Sequence, residues 1–174
     1  NVGRVIAALR ETGQLEDTVI VFVSDNGGTA QQRARSNAPY QGGKASFFEG
    51  GVRTPLVIRW PHGAGAGTVR DDLVAIYDLY PTLLAGLGVP VPPGLDGRDL
   101  GVARAAASPP RQLYWETYSG GHFGYSLLRD ARWRLYKTWP WTPWEAAPLL
   151  QDTAADPGAP PDRAAAEPGL LAAL

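Results

Sequence analysis

An adjacent carboxylate and amide are the side chains of this chain best suited to chemistry. Asp25 and Asn26 stand directly before Gly27 and Gly28. Carboxylate and amide oxygens are hard ligands, which suit Ca²⁺ or Mg²⁺ rather than zinc. The glycines would permit the unusual backbone angles of a turn on which both side chains converge. Because Asp-Asn-Gly-Gly is also a favourable turn sequence, an ordinary Asx turn is the alternative interpretation.

Lys44 is the second residue of interest, because it follows two glycines in a chain with fourteen arginines and only two lysines. Gly42 and Gly43 would let the backbone approach an oxyanion that the ammonium group binds. A Walker phosphate loop is excluded, since Ala38 and Ala45 stand where that motif needs glycine and Ser or Thr. A solvated lysine in a loop is the alternative interpretation.

The histidines and the clustered tryptophans give weaker indications. His62 and His122 are the only histidines, and each stands beside glycine in a predicted loop. We expect both at the surface, and two are too few for a histidine metal cluster or a convincing Ser-His-Asp triad. Three tryptophans lie within residues 139–144. This cluster would serve either as a platform that stacks on a sugar or as ordinary packing between elements.

The composition excludes several classes of protein. Sixteen Lys and Arg residues balance seventeen Asp and Glu residues, and a net charge of -1 gives no indication of a nucleic-acid partner. No apolar run approaches the roughly 20 residues of a membrane-spanning helix. Without cysteine, these residues form no disulfide, thiolate metal site or cysteine nucleophile. The chain also lacks methionine, so we expect that the N-terminal part of a larger protein is missing from it.

The first part of the chain, which must position these residues, alternates between helix and strand. Apolar residues at positions 2, 5, 6 and 9 predict a helix that Gly13 would end. The run 18–24 is apolar and β-branched without alternation, which predicts a strand buried on both faces, as in a parallel sheet. Asp25 therefore follows the carboxyl end of a strand, where open α/β sheets bind ligands. We expect residues 25–51 to form an ordered functional loop.

The remaining sequence predicts more α/β structure and then a smaller antiparallel sheet. Asp78 has the position of an N-cap, for a helix that ends near Leu87. An Ala- and Pro-rich stretch then marks a boundary, so we expect an α/β domain at 1–102 and a small antiparallel-sheet subdomain with a tail at 103–174. The predicted strands are 52–60, 73–77 and 112–118, with a hairpin of 125–129 and 133–138, and a short helix is expected at the C-terminus.

An ordered series of motifs along the chain resembles the type I sulfatases. The series starts with Val-Ile-Val-Phe-Val-Ser-Asp-Asn-Gly-Gly at 19–28, which is similar to the second signature region of that family. It continues with Asn-Ala-Pro-Tyr-Gln-Gly-Gly-Lys at 37–44 and Phe-Glu-Gly-Gly-Val-Arg-Thr-Pro-Leu at 48–56. Further similar stretches are 59–61, 77–84, 95–97, 127–137 and 149–162. The resemblance implies part of an alkaline-phosphatase-like α/β sandwich with a smaller C-terminal antiparallel sheet.

The resemblance also implies roles for single residues. Asp25 and Asn26 match two Ca²⁺ ligands of the family, and Lys44 matches the lysine that contacts the sulfate group. An intact member would hydrolyse sulfate esters, of aryl or carbohydrate alcohols, to alcohol and sulfate. The family nucleophile is a formylglycine made in a C-x-P-S-R motif, which is absent here together with two further aspartate ligands. We therefore expect the isolated chain to be inert and its Ca²⁺ site to be incomplete.

Two other functions stay open at this point. One is hydrolysis of phosphonate monoesters or phosphodiesters, which relatives in the same superfamily perform. The other is a non-catalytic remnant that binds carbohydrate through the tryptophans of 139–144. The resemblance makes a periplasmic or secreted location plausible, and the absence of cysteine fits any compartment.

Overall fold

The computed structural model describes residues 1–29, 37–61, 65–101, 109–119, 122–130, 132–140, 147–156, 158 and 160–174. The chain divides into two compact units. The first comprises Asn1–Ser24 and Pro55–Ser108, and the second comprises Asp25–Thr54 and Pro109–Leu174. The second unit therefore contains the loop with all three predicted site residues. The sequence-based boundary between residues 102 and 103 stays a prediction.

Most helices and strands follow the predicted order, but the helix Glu49–Val52 and the strand Leu149–Asp152 were not predicted. The first helix, the strand from Gln112, the hairpin and the C-terminal helix are confirmed, whereas residues 73–75 form no strand. No helix among the described residues is long and apolar enough to cross a membrane. The elements are α1 (Val2–Glu11), β1 (Ile20–Val23), α2 (Glu49–Val52), β2 (Leu56–Arg59), α3 (Leu79–Gly86), β3 (Gln112–Ser119), β4 (His122–Arg129), β5 (Trp133–Pro140), β6 (Leu149–Asp152) and α4 (Pro168–Ala173).

The first unit contains a two-stranded sheet whose environment differs from the prediction. β1 and β2 pair in antiparallel register, from Ile20 opposite Arg59 to Val23 opposite Leu56. Phe22 lies opposite Val57, and these two side chains are 47% and 59% exposed. The expectation of a strand buried on both faces, as in a parallel sheet, is therefore wrong for this chain. Its apolar run suits two covered faces, but the described residues leave the face of Phe22 and Val57 open to solvent.

A buried polar network fixes the start of α3 in the first unit. The Asp78 carboxylate accepts hydrogen bonds from the backbone N–H groups of Ala75, at 2.8 Å, and Arg98, at 3.0 Å. The Thr82 hydroxyl donates to the Asp78 carbonyl at 2.7 Å and accepts from the Leu100 N–H at 2.9 Å. Asp78 does precede the helix, as predicted, but its side chain caps no helical amide. The Asp78 carboxylate instead binds Arg98, and the Thr82 hydroxyl binds Leu100. Together they connect residues 98–100 to the helix, which is a folding role.

The second unit is built on a four-stranded antiparallel sheet in the order β3-β4-β5-β6. Its apolar core contains Leu113, Leu128, Leu135 and Leu150, which are almost fully buried. At the β6 end, Arg132 binds both oxygens of the Asp152 carboxylate, with Nε–Oδ1 and Nη2–Oδ2 distances of 3.1 and 2.8 Å. The hydrogen bonds from Arg132 hold the pKa of Asp152 below its usual value.

This ion pair predicts an acid-dependent contribution to stability. Because the folded pKa of Asp152 lies below its unfolded value of about 3.9, its contribution is complete above that pH. The contribution disappears as the pH falls through the folded pKa. Urea unfolding should therefore show Asp152→Asn to be less stable than the wild type at pH 7, with the difference closing below about pH 4. Asp130→Asn, which changes a more exposed carboxylate beside Arg129, is the control. A gap between Asp152→Asn and the wild type that does not depend on pH would contradict the prediction.

Candidate functional site

The predicted metal ligands lie in a turn that follows β1 in the sequence. Asp25 is exposed, and its Oδ1 atom accepts a hydrogen bond from the Asn26 N–H at 2.9 Å. Asn26 is half-buried, and its Nδ2 donates to the Gly27 carbonyl at 2.9 Å. Both bonds join neighbouring residues, whereas in an Asx turn the side chain accepts from the N–H two residues on, so these bonds do not establish the Asx turn of the alternative interpretation. These contacts leave one carboxylate oxygen of Asp25 outside the turn's own hydrogen bonds.

The loop that carries Lys44 is hydrogen-bonded to this turn. The Lys44 N–H donates to the Gly28 carbonyl at 3.0 Å, and the Lys44 side chain is exposed. Asn37 adds a second connection. Its side chain binds both the N–H and the carbonyl of Gly28, and it also donates to the Gly42 carbonyl. These hydrogen bonds therefore hold the Asp25–Asn26 turn and the Lys44 loop together, although 17 residues separate Asn26 from Lys44 in the sequence.

The Asp25–Asn26 turn and the Lys44 loop both make close backbone contacts with the glycines of α2. The Gly27 N–H donates to the Gly51 carbonyl at 2.9 Å, and the Gly50 N–H donates to the Gln41 carbonyl at 2.7 Å. A Cβ at Gly27 would stand 1.7 Å from the Gly50 carbonyl oxygen, which leaves no room for a side chain. Gly27 is thus required for space and does not take a positive φ, whereas Gly42 has φ of 79°. The sequence predicted unusual backbone angles at Gly27, whereas the structure shows a close approach of the Gly50 carbonyl.

A buried ion pair anchors the segment that carries Gly50 and Gly51. Arg134 of β5 is 1% exposed and pairs with the Glu49 carboxylate, which is 6% exposed. The Arg134 Nη1 also donates to the Phe47 carbonyl at 3.1 Å and to the Ser126 hydroxyl at 3.3 Å. The guanidinium carbon lies 5.1 Å from the centre of the Trp115 ring, and this is a cation–π distance.

An aromatic contact strengthens the same anchor. The Phe48 and Tyr136 ring centres are 4.9 Å apart, with the rings inclined at 45°. Burial raises the pKa of the Tyr136 phenol well above its usual value. Sequence reasoning assigned no role to Glu49 or Arg134. A charged residue between the apolar residues of β5 was the only local signal for this pair.

The donor set agrees with a hard cation in kind but is too small to enclose one. Asp25 and Asn26 together offer at most three side-chain oxygens, whereas Ca²⁺ takes about 6–8 oxygen ligands. In the described part of the chain, no cluster of three or more His, Cys, Asp or Glu side chains could hold a metal ion. The two residues therefore fit as part of a Ca²⁺ site that other ligands would have to complete.

The other predicted residues give no support for a second site. His62 and residues 141–146 lie outside the described residues. His122 was expected in a loop but is the first residue of β4, and Trp139 lies in β5. The structure describes only the backbone of these two residues. The two interpretations of the tryptophan cluster therefore stay as they were.

Comparison with known proteins identifies the family. The Sulfatase family model matches residues 1–89. Steryl-sulfatase of Mus musculus is 39% identical over 108 residues, which are 57% of this chain and 17% of that protein. N-acetylgalactosamine-6-sulfatase of Sus scrofa is 39% identical over 105 residues, which are 58% of this chain and 20% of that protein. Human arylsulfatase A is 34% identical over 178 residues, which cover 98% of this chain and 34% of that protein.

Solved structures agree with the fold. Ps i-CgsB, crystallised with k-i-k-neocarrahexaose, gives a TM-score of 0.78 at 28% identity, over 98% of this chain and 37% of that one. The protein yidJ of Bacteroides fragilis gives 0.77 at 24% identity, over 99% and 37%, and supports the fold alone.

The helices, the two antiparallel sheets and these neighbours define part of an alkaline-phosphatase-like α/β fold, as expected from the sequence. The chain belongs to the sulfatase family, because the family model matches more than half of its residues. Sulfatases of this family hydrolyse sulfate esters. The chain spans between about a sixth and about a third of the length of the curated relatives named above.

Proposed function

We propose that this chain is the C-terminal part of a sulfatase that hydrolyses sulfate esters to an alcohol and sulfate. The observation that carries the proposal is the hydrogen bond from the Lys44 N–H to the Gly28 carbonyl. This bond joins the loop that carries Lys44, whose cationic side chain is exposed, to the turn that carries Asp25 and Asn26, which offer hard oxygen donors. A sulfate group is an oxyanion, and a cation with a nearby metal site is the combination that binds one.

Each of the three side chains has a separate role in the proposal. Asp25 and Asn26 supply part of a Ca²⁺ site, and the bound ion would polarise the sulfate oxygens. Lys44 contacts the sulfate group and stabilises the negative charge that develops on it in the transition state. None of the three is the nucleophile. Because no C-x-P-S-R motif occurs in the 174 residues, the isolated chain does not turn over substrate, and because Asp25 and Asn26 form only part of a Ca²⁺ site, it binds Ca²⁺ weakly.

A comparison of substrates tests the reaction class. The protein to assay is a longer polypeptide that contains this chain together with the rest of a sulfatase domain. The substrates are an aryl sulfate and an aryl phosphodiester with the same leaving group. We expect faster turnover of the sulfate, and no turnover of either compound by the 174-residue chain alone. Faster turnover of the phosphodiester would replace the proposal with the alternative in the same superfamily. Turnover by the isolated chain would show that a nucleophile lies within these residues.

We further propose that the alcohol released from the sulfate ester is an aryl alcohol or a carbohydrate. The relatives include a steryl-sulfatase and an N-acetylgalactosamine-6-sulfatase, whose names refer to different alcohols. No described residue favours the non-catalytic carbohydrate-binding alternative, since residues 141–146 lie outside the described part of the chain. The assay should therefore begin with the aryl sulfate and continue with sulfated sugars.

A further inference from the structure

Asn37 makes an unusual set of hydrogen bonds for a loop residue. The Gly28 N–H donates to its Oδ1 atom at 2.8 Å, and its Nδ2 donates to the Gly28 carbonyl at 2.8 Å. A further bond runs from Nδ2 to the Gly42 carbonyl at 3.0 Å. A carboxamide can make about four hydrogen bonds, so Asn37 uses most of its capacity on the backbone of two glycines.

The two glycines place this contact next to the proposed chemistry. Gly28 comes two residues after Asn26, and Gly42 comes two residues before Lys44. The Gly28 carbonyl also accepts the hydrogen bond from the Lys44 N–H. The Asn37 side chain therefore binds both loops, at positions that flank the residues proposed to contact metal and sulfate.

We propose that Asn37 is a positioning residue that holds the Lys44 loop in register with the Asp25–Asn26 turn. Its donor and acceptor match the N–H and carbonyl of Gly28 in the way that a neighbouring strand would. Aspartate has nearly the same shape but only accepts, so it would place a carboxylate oxygen against two carbonyls. The role of the loops rests on the proposed function, whereas the clamp itself is a property of the folded chain.

Amide hydrogen exchange of the 174-residue chain tests the clamp without any activity. In Asn37→Ala, we expect faster exchange at the Gly28 and Lys44 amides, by roughly 2- to 12-fold for each ordinary hydrogen bond lost. Asn37→Asp keeps the acceptor for Gly28, so the Lys44 amide should be affected more than the Gly28 amide. The amide of Leu135, in β5, reports whether the fold is intact. Unchanged exchange at both loop amides would overturn the clamp.

Kinetics of the larger protein test whether the clamp acts through Lys44. Loss of a residue that orients a site residue typically costs about 10–100-fold in activity, and we expect this for kcat/KM of Asn37→Ala on an aryl sulfate. Combined with Lys44→Ala, it should cost at least about threefold less than the product of the two separate losses. Independent losses would overturn the positioning role. If the wild type has no sulfate turnover, the proposed function fails, and hydrogen exchange alone decides the clamp.

Discussion

Replacing Lys44 by alanine should lower kcat/KM for an aryl sulfate by about 10²–10³-fold in a protein that contains the whole sulfatase domain. The ammonium group is the proposed contact to the sulfate oxygens, and its loss removes charge stabilisation in the transition state. Stability should change by less than about 0.5 kcal/mol, because the side chain is exposed. Steady-state kinetics and urea unfolding of the same preparations separate the two effects.

Two control variants make the Lys44 experiment specific. Lys137→Ala removes the only other lysine, which lies in β5, and should leave kcat/KM nearly unchanged. Lys44→Arg keeps the charge and should retain part of the activity, since a guanidinium is larger and binds with a different geometry. Inhibition by inorganic sulfate gives an independent measure of binding, and it should weaken in Lys44→Ala. A variant Lys44→Ala with near wild-type kcat/KM would show that Lys44 is only a solvated loop residue.

The parts of the fold that sequence reasoning predicted are those set by local patterns. The 3.6-residue periodicity of α1 and the β-branched residues of β1 identify their elements without help from distant residues. The position of Asp25 after a strand follows from the same local pattern. The environment of β1 was predicted wrongly, because the residues of a strand do not show which of its faces is covered. Phe22 suits a buried face but is half exposed in this chain.

The supports of the candidate site could not be predicted in the same way. Glu49 and Arg134 are 85 residues apart, and no local pattern connects a carboxylate at the start of α2 with an arginine in a later strand. Asn37 falls within a stretch that resembles the family, but its bonds to Gly28 and Gly42 depend on how two loops meet. Gly27 resembles a turn glycine in the sequence, and only the nearby Gly50 carbonyl shows that space is the constraint. Tertiary contacts decide all of these roles.

Among the ion pairs of the described residues, Glu49–Arg134 should give the largest stability effect. Glu49→Ala leaves the Arg134 guanidinium buried without its carboxylate, which should lower the free energy of unfolding by about 3–5 kcal/mol. Glu16→Ala is the matched control, because its partner Arg59 binds a carboxylate that is 62% exposed. That exposed pair should contribute less than about 1 kcal/mol. Urea unfolding at pH 7 measures both variants.

The double variant Glu49→Leu with Arg134→Met shows what the pair contributes beyond stability. Apolar residues of similar volume often replace a buried ion pair at little cost, so this variant should recover most of the stability that Glu49→Ala loses. It cannot restore the hydrogen bond from Arg134 to the Phe47 carbonyl, which holds the segment beneath the two loops. We therefore expect faster hydrogen exchange at Gly27 and Gly50, whose amides bind the Gly51 and Gln41 carbonyls, in a chain of nearly normal stability. If exchange at these glycines is normal, the ion pair serves the fold alone and the loops keep their geometry without it.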